Sequence, residues 1–147
     1  MVRKLNRVIL IPFLLMLFFL SVSHAQMPGK AWEKTITLPN GDVILDLNGE
    51  WDAFVENYGR QSAAGTYSNV EKITQTEISY EAIRMMDDPW NFKGSLSLQG
   101  ELDKTGIKKV MIIGRGGSSD AKGIISEHGN KIVIDDGEVV RLTLTRK

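Results

Sequence analysis

The sequence contains no cysteine. This absence excludes a disulfide framework, a metal site with thiolate ligands and a lipid attached to a cysteine at a processing site. An exported chain without disulfides depends on its hydrophobic core for stability. Residues 26–147 are enough for one domain with such a core.

Histidine is almost as scarce, because only His128 lies outside the first 25 residues. It stands between Glu127 and Gly129, a setting typical of a tight turn. One histidine and no cysteine leave the chain without the parts of a nucleophilic triad or a zinc site. We therefore expect no enzymatic activity, no catalytic residue, no bound metal and no cofactor.

An excess of positive charge is also lacking. Of the 18 basic residues, three lie in the first 25 residues, which contain none of the 18 acidic residues. The remaining 15 basic residues face 18 acidic ones, a formal net charge of −3. This balance excludes the basic surface that nucleic-acid binding requires, and we expect no such partner.

Residues 1–25 have the pattern of an export signal. Arg3, Lys4 and Arg7 precede an almost wholly apolar run over 8–20, and Ser23-His24-Ala25 supplies small residues at the positions that a signal peptidase reads. An uncleaved anchor helix is the alternative, but the run is shorter than the roughly 20 residues that span a bilayer. We expect cleavage between Ala25 and Gln26, a periplasmic or secreted product, and no stable membrane insertion afterwards.

Beyond residue 25 the apolar positions alternate instead of recurring at helical spacing. From Val43 to Val55 the odd positions are mostly apolar or glycine and the even ones mostly polar, a pattern typical of a half-buried strand. Turn residues such as Asp136-Gly137 separate further segments of this kind. The predicted strands are 43–57, 69–76, 78–86, 93–103, 107–114, 120–127, 130–136 and 139–146.

Regular short strands with tight turns predict an all-β fold, a small antiparallel up-and-down β-barrel of about eight strands. We assign residues 1–25 to the signal peptide, 26–42 to an N-terminal arm and 43–147 to the barrel. The arm includes residues 32–38, a candidate extra strand that a turn at Asn40-Gly41 would join to 43–47 as a hairpin. The longer connections, 58–68, 87–92 and 114–119, alternate with short ones, which predicts a cup with one looped end.

Gly49-Glu50-Trp51 stands near the start of the first strand of this meander. The arrangement is similar to the Gly-x-Trp signature of the lipocalins and other calycins, and the short chain most resembles the compact bacterial lipocalin-like proteins. The resemblance implies that Gly49 lets the chain bend, that Trp51 closes the narrow end and that Arg146 from the last strand lies over the indole. A cation–π contact of that kind contributes about 0.5–2 kcal/mol.

The looped end offers the candidate ligand site. Trp90 follows Asp87-Asp88-Pro89, where it either covers the cup or simply packs on the barrel, and Met86 would supply an adaptable apolar wall. Arg84 shares the parity of Tyr80. The opposite face of this strand is about as apolar, so the sequence does not decide which face points inward. An inward Arg84 needs a partner, for which an acidic ligand head group is a candidate. The predicted ligand-binding residues are Tyr80, Arg84, Met86 and Trp90.

Two other groups carry weaker signals. The segment 114–119, rich in glycine and serine, favours a flexible loop over an anion cradle, since no helix follows it. Asp87, Asp88 and Asp120 all lie on the looped rim, but their spacing is not that of a known calcium loop.

Two functions fit this reading. The first is an exported lipocalin-like barrel that binds a small apolar or amphipathic ligand at its looped end. The alternative is a non-enzymatic protein-interaction or inhibitor module, with an envelope protein as partner and a barrel filled by side chains. Eight strands enclose either filling side chains or one small ligand, so a cavity at the looped end distinguishes the two.

Overall fold

The structure is a computed structural model, and it describes residues 31–147. The predicted signal peptide and its cleavage site lie outside the described residues. Within residues 31–147, no helix is long and apolar enough to cross a membrane.

Ten strands form almost all of the regular structure, joined by two short 3₁₀ helices at Gly59–Ala64 and Glu127–Gly129. In chain order the strands are β1 Thr35–Thr37, β2 Val43–Leu45, β3 Gly49–Asn57, β4 Thr66–Thr76, β5 Ser79–Arg84, β6 Leu96–Asp103, β7 Gly106–Gly114, β8 Gly117–Ser126, β9 Lys131–Asp135 and β10 Val140–Arg146.

Strands β3 to β10 form a closed antiparallel barrel, which confirms the predicted all-β, up-and-down fold. Each strand pairs with the next along the chain, and β10 returns to pair with β3. The closing ladder extends from Val140 opposite Asn57 to Arg146 opposite Trp51. A closed barrel leaves no unpaired strand edge, so its backbone groups satisfy one another around the ring.

The alternation predicted for the first barrel strand is present in β3. Trp51, Ala53 and Val55 are buried and point inward, while Asp52 and Phe54 are exposed on the outer wall. Apolar residues at the inward positions of the other seven strands complete one continuous core. Burial of these side chains is the main stabilising contribution to the barrel.

The predicted strand 43–57 is wrong at its beginning, because it is two strands. Residues 46–48 interrupt it, where Asp46 Oδ1 accepts hydrogen bonds from the backbone and side-chain amides of Asn48 at 2.9 Å. The alternation also fails before this break, since Ile44 and Leu45 are both buried and Val43 is half-exposed.

Strand β2 instead pairs with β1, so the strand predicted within 32–38 is present and forms a hairpin. The hairpin lies against the barrel end that carries the tight turns, and Ile44 and Leu45 join the core there. The side chain of Gln75 fastens it, accepting from Leu47 N at 2.7 Å and donating to Leu45 O at 3.1 Å. The N-terminal arm therefore closes one end of the barrel.

The loop predicted over 114–119 is also wrong. Strand β7 continues to Gly114 and β8 begins at Gly117, so only Arg115 and Gly116 make the turn. Ser118 and Ser119 belong to β8, because their backbones pair with β7. Pairing across the hairpin outweighs the weak strand preference of glycine and serine.

Gly100 in β6 fills a position where a side chain has no room. A Cβ atom there would lie 2.2 Å from Lys109 O and 2.6 Å from the hydroxyl oxygen of Tyr80, whose ring covers the glycine. Backbone atoms cannot move aside cheaply in a closed ladder, so the contact demands glycine.

We expect Gly100→Ala to lower the free energy of unfolding by about 1–3 kcal/mol, because the added methyl group overpacks the wall. Gly116→Ala is the matched control, since nothing lies within 4 Å of its Cβ position, and should change stability by less than about 0.5 kcal/mol. Urea unfolding measures both. Equal midpoints for the two variants would contradict the packing argument.

Candidate functional site

The two ends of the barrel differ. One is closed by the β1–β2 hairpin. The other carries the two longest connections of the barrel, residues 58–65 and 85–95, together with residues 136–139 and the two-residue β7–β8 turn. A cavity of about 540 Å³ lies at this looped end. Its size is that of a site for a small organic molecule.

The wall of the cavity is apolar at its base and becomes more polar towards its rim. Ile112 and Val139 are each 8% exposed and form an apolar base with Val140. Trp90 supplies an aromatic wall, and the half-buried Tyr67 adds a phenol. Burial raises the pKa of Tyr67 to about 12, so its hydroxyl stays a neutral hydrogen-bond donor.

Charged side chains of both signs stand around the rim. Arg60 and Glu138 form an exposed pair at 3.6 Å, which contributes little to stability. Arg115 sits in the β7–β8 turn, and its backbone N–H donates to Asn91 Oδ1 at 3.0 Å. Asp136 fixes the β9–β10 turn by accepting the N–H groups of the residues that follow it. The cavity thus combines an apolar base with a polar rim that carries charged side chains of both signs.

The 85–95 loop is anchored at the looped end by Asp88. The side chain of Asp88 is 1% exposed and pairs with Arg84 Nε at 3.3 Å. It also accepts from Asn69 Nδ2 at 3.3 Å and from the backbone N–H groups of Trp90 and Asn91 at 2.8 Å. One buried carboxylate therefore fixes the loop to the barrel and sets the position of Trp90.

A second buried carboxyl group lies close to this anchor. Glu71 in β4 stands opposite Arg84 in the ladder, is 2% exposed and hydrogen-bonds to the hydroxyl of Ser97. Burial raises the pKa of Glu71 to about 7, although the hydrogen bond from Ser97 and the charge of Arg84 act in the opposite direction. Near neutral pH this carboxyl group therefore exchanges between its neutral and ionised forms.

Ser97 has one proton and two possible acceptors, so its hydrogen bonds depend on the protonation state of Glu71. Ser97 Oγ lies within hydrogen-bond distance of both Glu71 and Ala82 O, the latter at 3.0 Å, but it carries one proton. A protonated Glu71 donates to Ser97, which then donates to Ala82 O, and every group is satisfied. An ionised Glu71 would instead accept the hydrogen bond of the Ser97 hydroxyl, which could then no longer donate to Ala82 O.

The structure brings one of the four predicted ligand-binding residues to the cavity. Trp90 lines it and is half-exposed. Tyr80 is 3% exposed and covers Gly100 in the barrel wall, away from the looped end, and its hydroxyl has no hydrogen-bond partner within the described chain. Met86 is 46% exposed on the loop and is not part of the lining.

Arg84 faces the interior, which resolves the parity that the sequence left open, but its partners are not those expected of a ligand site. Its guanidinium pairs with Asp88 and donates to Leu96 O at 2.6 Å and to Ile113 O at 2.7 Å. These protein groups take the place assigned to an acidic head group. Arg84 therefore holds the loop and does not line the cavity.

The residues implied by the resemblance meet at the closed end. Trp51 is fully buried, donates from Nε1 to Leu47 O at 3.0 Å and lies under Arg146, whose guanidinium carbon is 4.3 Å from the ring centroid. Arg146 also donates to Asn48 O at 3.2 Å. Gly49 begins β3 with φ of 127°, a conformation that favours glycine.

Sequence reasoning missed the base of the cavity and both buried carboxyl groups. Ile112 follows the inward alternation of β7, a signal that was present but not specific for a site. Tyr67 lies in a segment predicted as a connection, and the inward positions of β4 are mostly polar, so no alternation indicated it. Asp120 was predicted on the looped rim, but it lies within β8 opposite Met111, and Asp88 pairs with Arg84. Within residues 31–147 no group of three or more metal-ligating side chains is close enough to hold an ion.

Comparison with protein-family models, with curated protein sequences and with solved structures finds no match to this chain.

Proposed function

We propose that this protein is an exported lipocalin-like barrel that binds one small amphipathic molecule at its looped end. The observation that carries the proposal is the cavity of about 540 Å³ with an apolar base and a polar rim. An apolar portion of the ligand would contact Ile112, Val139 and Trp90. A polar portion would remain at the rim beside Tyr67 and Arg115.

The position of the cavity limits the size of the ligand. Trp51, Leu98 and Leu144 are fully buried and are part of the core that fills the barrel below the cavity. The ligand therefore occupies the entrance and does not extend along the axis. This favours a compact molecule over a long extended chain.

The filled lower interior also supports the second candidate, a protein-interaction module that uses the looped end as its working surface. In that case the cavity would receive a side chain of an envelope protein. The two candidates differ in whether a free small molecule binds with measurable affinity.

Native mass spectrometry of the protein purified from its own envelope or medium tests the first candidate, since a bound ligand adds a defined mass. An apolar fluorescent probe measures the same cavity directly. Absence of both a co-purifying molecule and probe binding would reject the ligand-binding function.

Ile112→Phe should weaken probe binding by at least about tenfold, because the larger ring occupies the base of the cavity. Ile113→Phe is the matched control: it changes the next residue of β7, which alternates to the outer wall, and should leave probe affinity unchanged. Circular dichroism checks that both variants fold. Equal probe affinity in the two variants would show that the probe does not bind in this cavity.

A further inference from the structure

Exposed large apolar side chains are concentrated in the loop that carries Trp90. Met86 is 46% exposed, Trp90 50% and Phe92 71%. Within the described chain three other large hydrophobic residues are exposed, and they lie on strands outside this loop: Val43, Phe54 and Ile124. Clustered exposed apolar groups of this kind mark interaction surfaces.

The loop that carries these side chains is held firmly. Besides the buried anchor at Asp88, Asp87 Oδ1 accepts from Lys93 N at 2.8 Å, and Asn91 Oδ1 accepts from Arg115 N at 3.0 Å. Ser95 Oγ donates to Phe92 O at 2.6 Å. These bonds hold the backbone that carries the aromatic residues in one conformation, so little backbone ordering is needed when a partner covers them.

The charges at the looped end indicate the kind of partner. Among the residues of the loop and the cavity rim, three cations stand against three anions, once Asp88 is neutralised by Arg84. The cations are Arg60, Lys93 and Arg115, and the anions are Asp87, Asp136 and Glu138. The surface is therefore apolar with no net charge, which matches a zwitterionic lipid headgroup layer better than a strongly charged partner.

We propose that the 85–95 loop docks the looped end of the barrel onto a zwitterionic lipid surface. Trp and Phe side chains are favoured at the boundary between headgroups and acyl chains, where Trp90 and Phe92 would insert. The contact is peripheral and reversible. It extends the proposed function in one respect, since docking places the cavity entrance against the phase in which an amphipathic ligand dissolves.

The test is co-sedimentation of the host-processed protein with phosphatidylcholine vesicles. Wild type should bind at low and at high salt, because the contact does not depend on net charge. Phe92→Ala should weaken binding about tenfold, since it removes the most exposed ring of the loop. Phe54→Ala, which removes an exposed ring from the barrel wall, should bind as wild type does, and any contribution of the N-terminal residues is common to all three proteins.

Absence of wild-type binding to phosphatidylcholine would overturn the proposal. So would equal losses in Phe92→Ala and Phe54→Ala, or binding that requires anionic lipid and disappears at high salt. The ligand function is tested separately with the soluble probe. Phe92→Ala should weaken vesicle binding and leave probe binding unchanged, because Phe92 is not part of the cavity lining, while Ile112→Phe should weaken probe binding and leave vesicle binding unchanged.

Discussion

Replacing Glu71 with Gln is expected to stabilise the protein by roughly 3 kcal/mol at about pH 8 and to leave its stability nearly unchanged at about pH 4. The carboxyl group has a pKa of about 7 in the folded state, against a model value of 4.5. As pH rises between these values, the unfolded chain loses its proton while the folded one retains it. Wild-type stability therefore decreases over this window and levels off above the folded-state pKa.

Glutamine avoids this loss because it stays neutral and can donate to Ser97 as the protonated acid does. Chemical unfolding of both proteins from about pH 4 to pH 8 gives the difference curve, in which contributions from other carboxylates cancel. Glu81→Gln on the outer wall of β5 removes the same charge from an exposed site and is the matched control. A difference curve for Glu71→Gln that is no steeper than the curve for Glu81→Gln would contradict the prediction.

Replacing Trp51 with Ala is expected to lower the free energy of unfolding by about 3–5 kcal/mol. The indole is fully buried at the closed end, so its removal leaves a cavity that the surrounding ladder cannot fill. The variant also loses the contact with Arg146 and leaves Leu47 O without its donor. Guanidinium unfolding measured by far-UV circular dichroism reports the change.

Phe54→Ala is the matched control for the size of the deleted ring, since Phe54 lies three residues along the same strand but faces outward. Its cost should stay below about 1 kcal/mol, because the residue is already 43% exposed and its truncation opens no internal cavity. A similar cost for both variants would mean that Trp51 does not seal the barrel. A double-mutant cycle with Arg146→Met isolates the cation–π contribution from the packing of the indole.

The barrel was predictable because period-two alternation is a local signal that follows directly from strand geometry. Trp51 and Val55 alternate inward as predicted, and the glycine-containing turns are where hairpins require them. The break at residues 46–48 was not predictable. It depends on Gln75, a side chain from another strand that pairs with the backbone of this segment.

The location of the candidate site was predictable, but most of the residues that form it were not. The long connections predicted over 58–68 and 87–92 located the looped end, although the one predicted over 114–119 is a two-residue turn, and Trp90 lies at the cavity there. The role of Arg84 could not be predicted, because both faces of β5 carry apolar residues and the parity gives no preference. Its partner Asp88 approaches from a loop, and no local pattern shows that a loop carboxylate returns to the barrel interior.

The ladder between β3 and β10 has a consequence for how the chain folds. Val140 pairs with Asn57 and Arg146 with Trp51, so the partners are 83 and 95 positions apart in the chain. Such distant pairing makes the search for the native topology slow, on the order of milliseconds to seconds. The ring cannot close until β10 has left the ribosome, so a nascent chain that has not yet released β10 has no complete barrel.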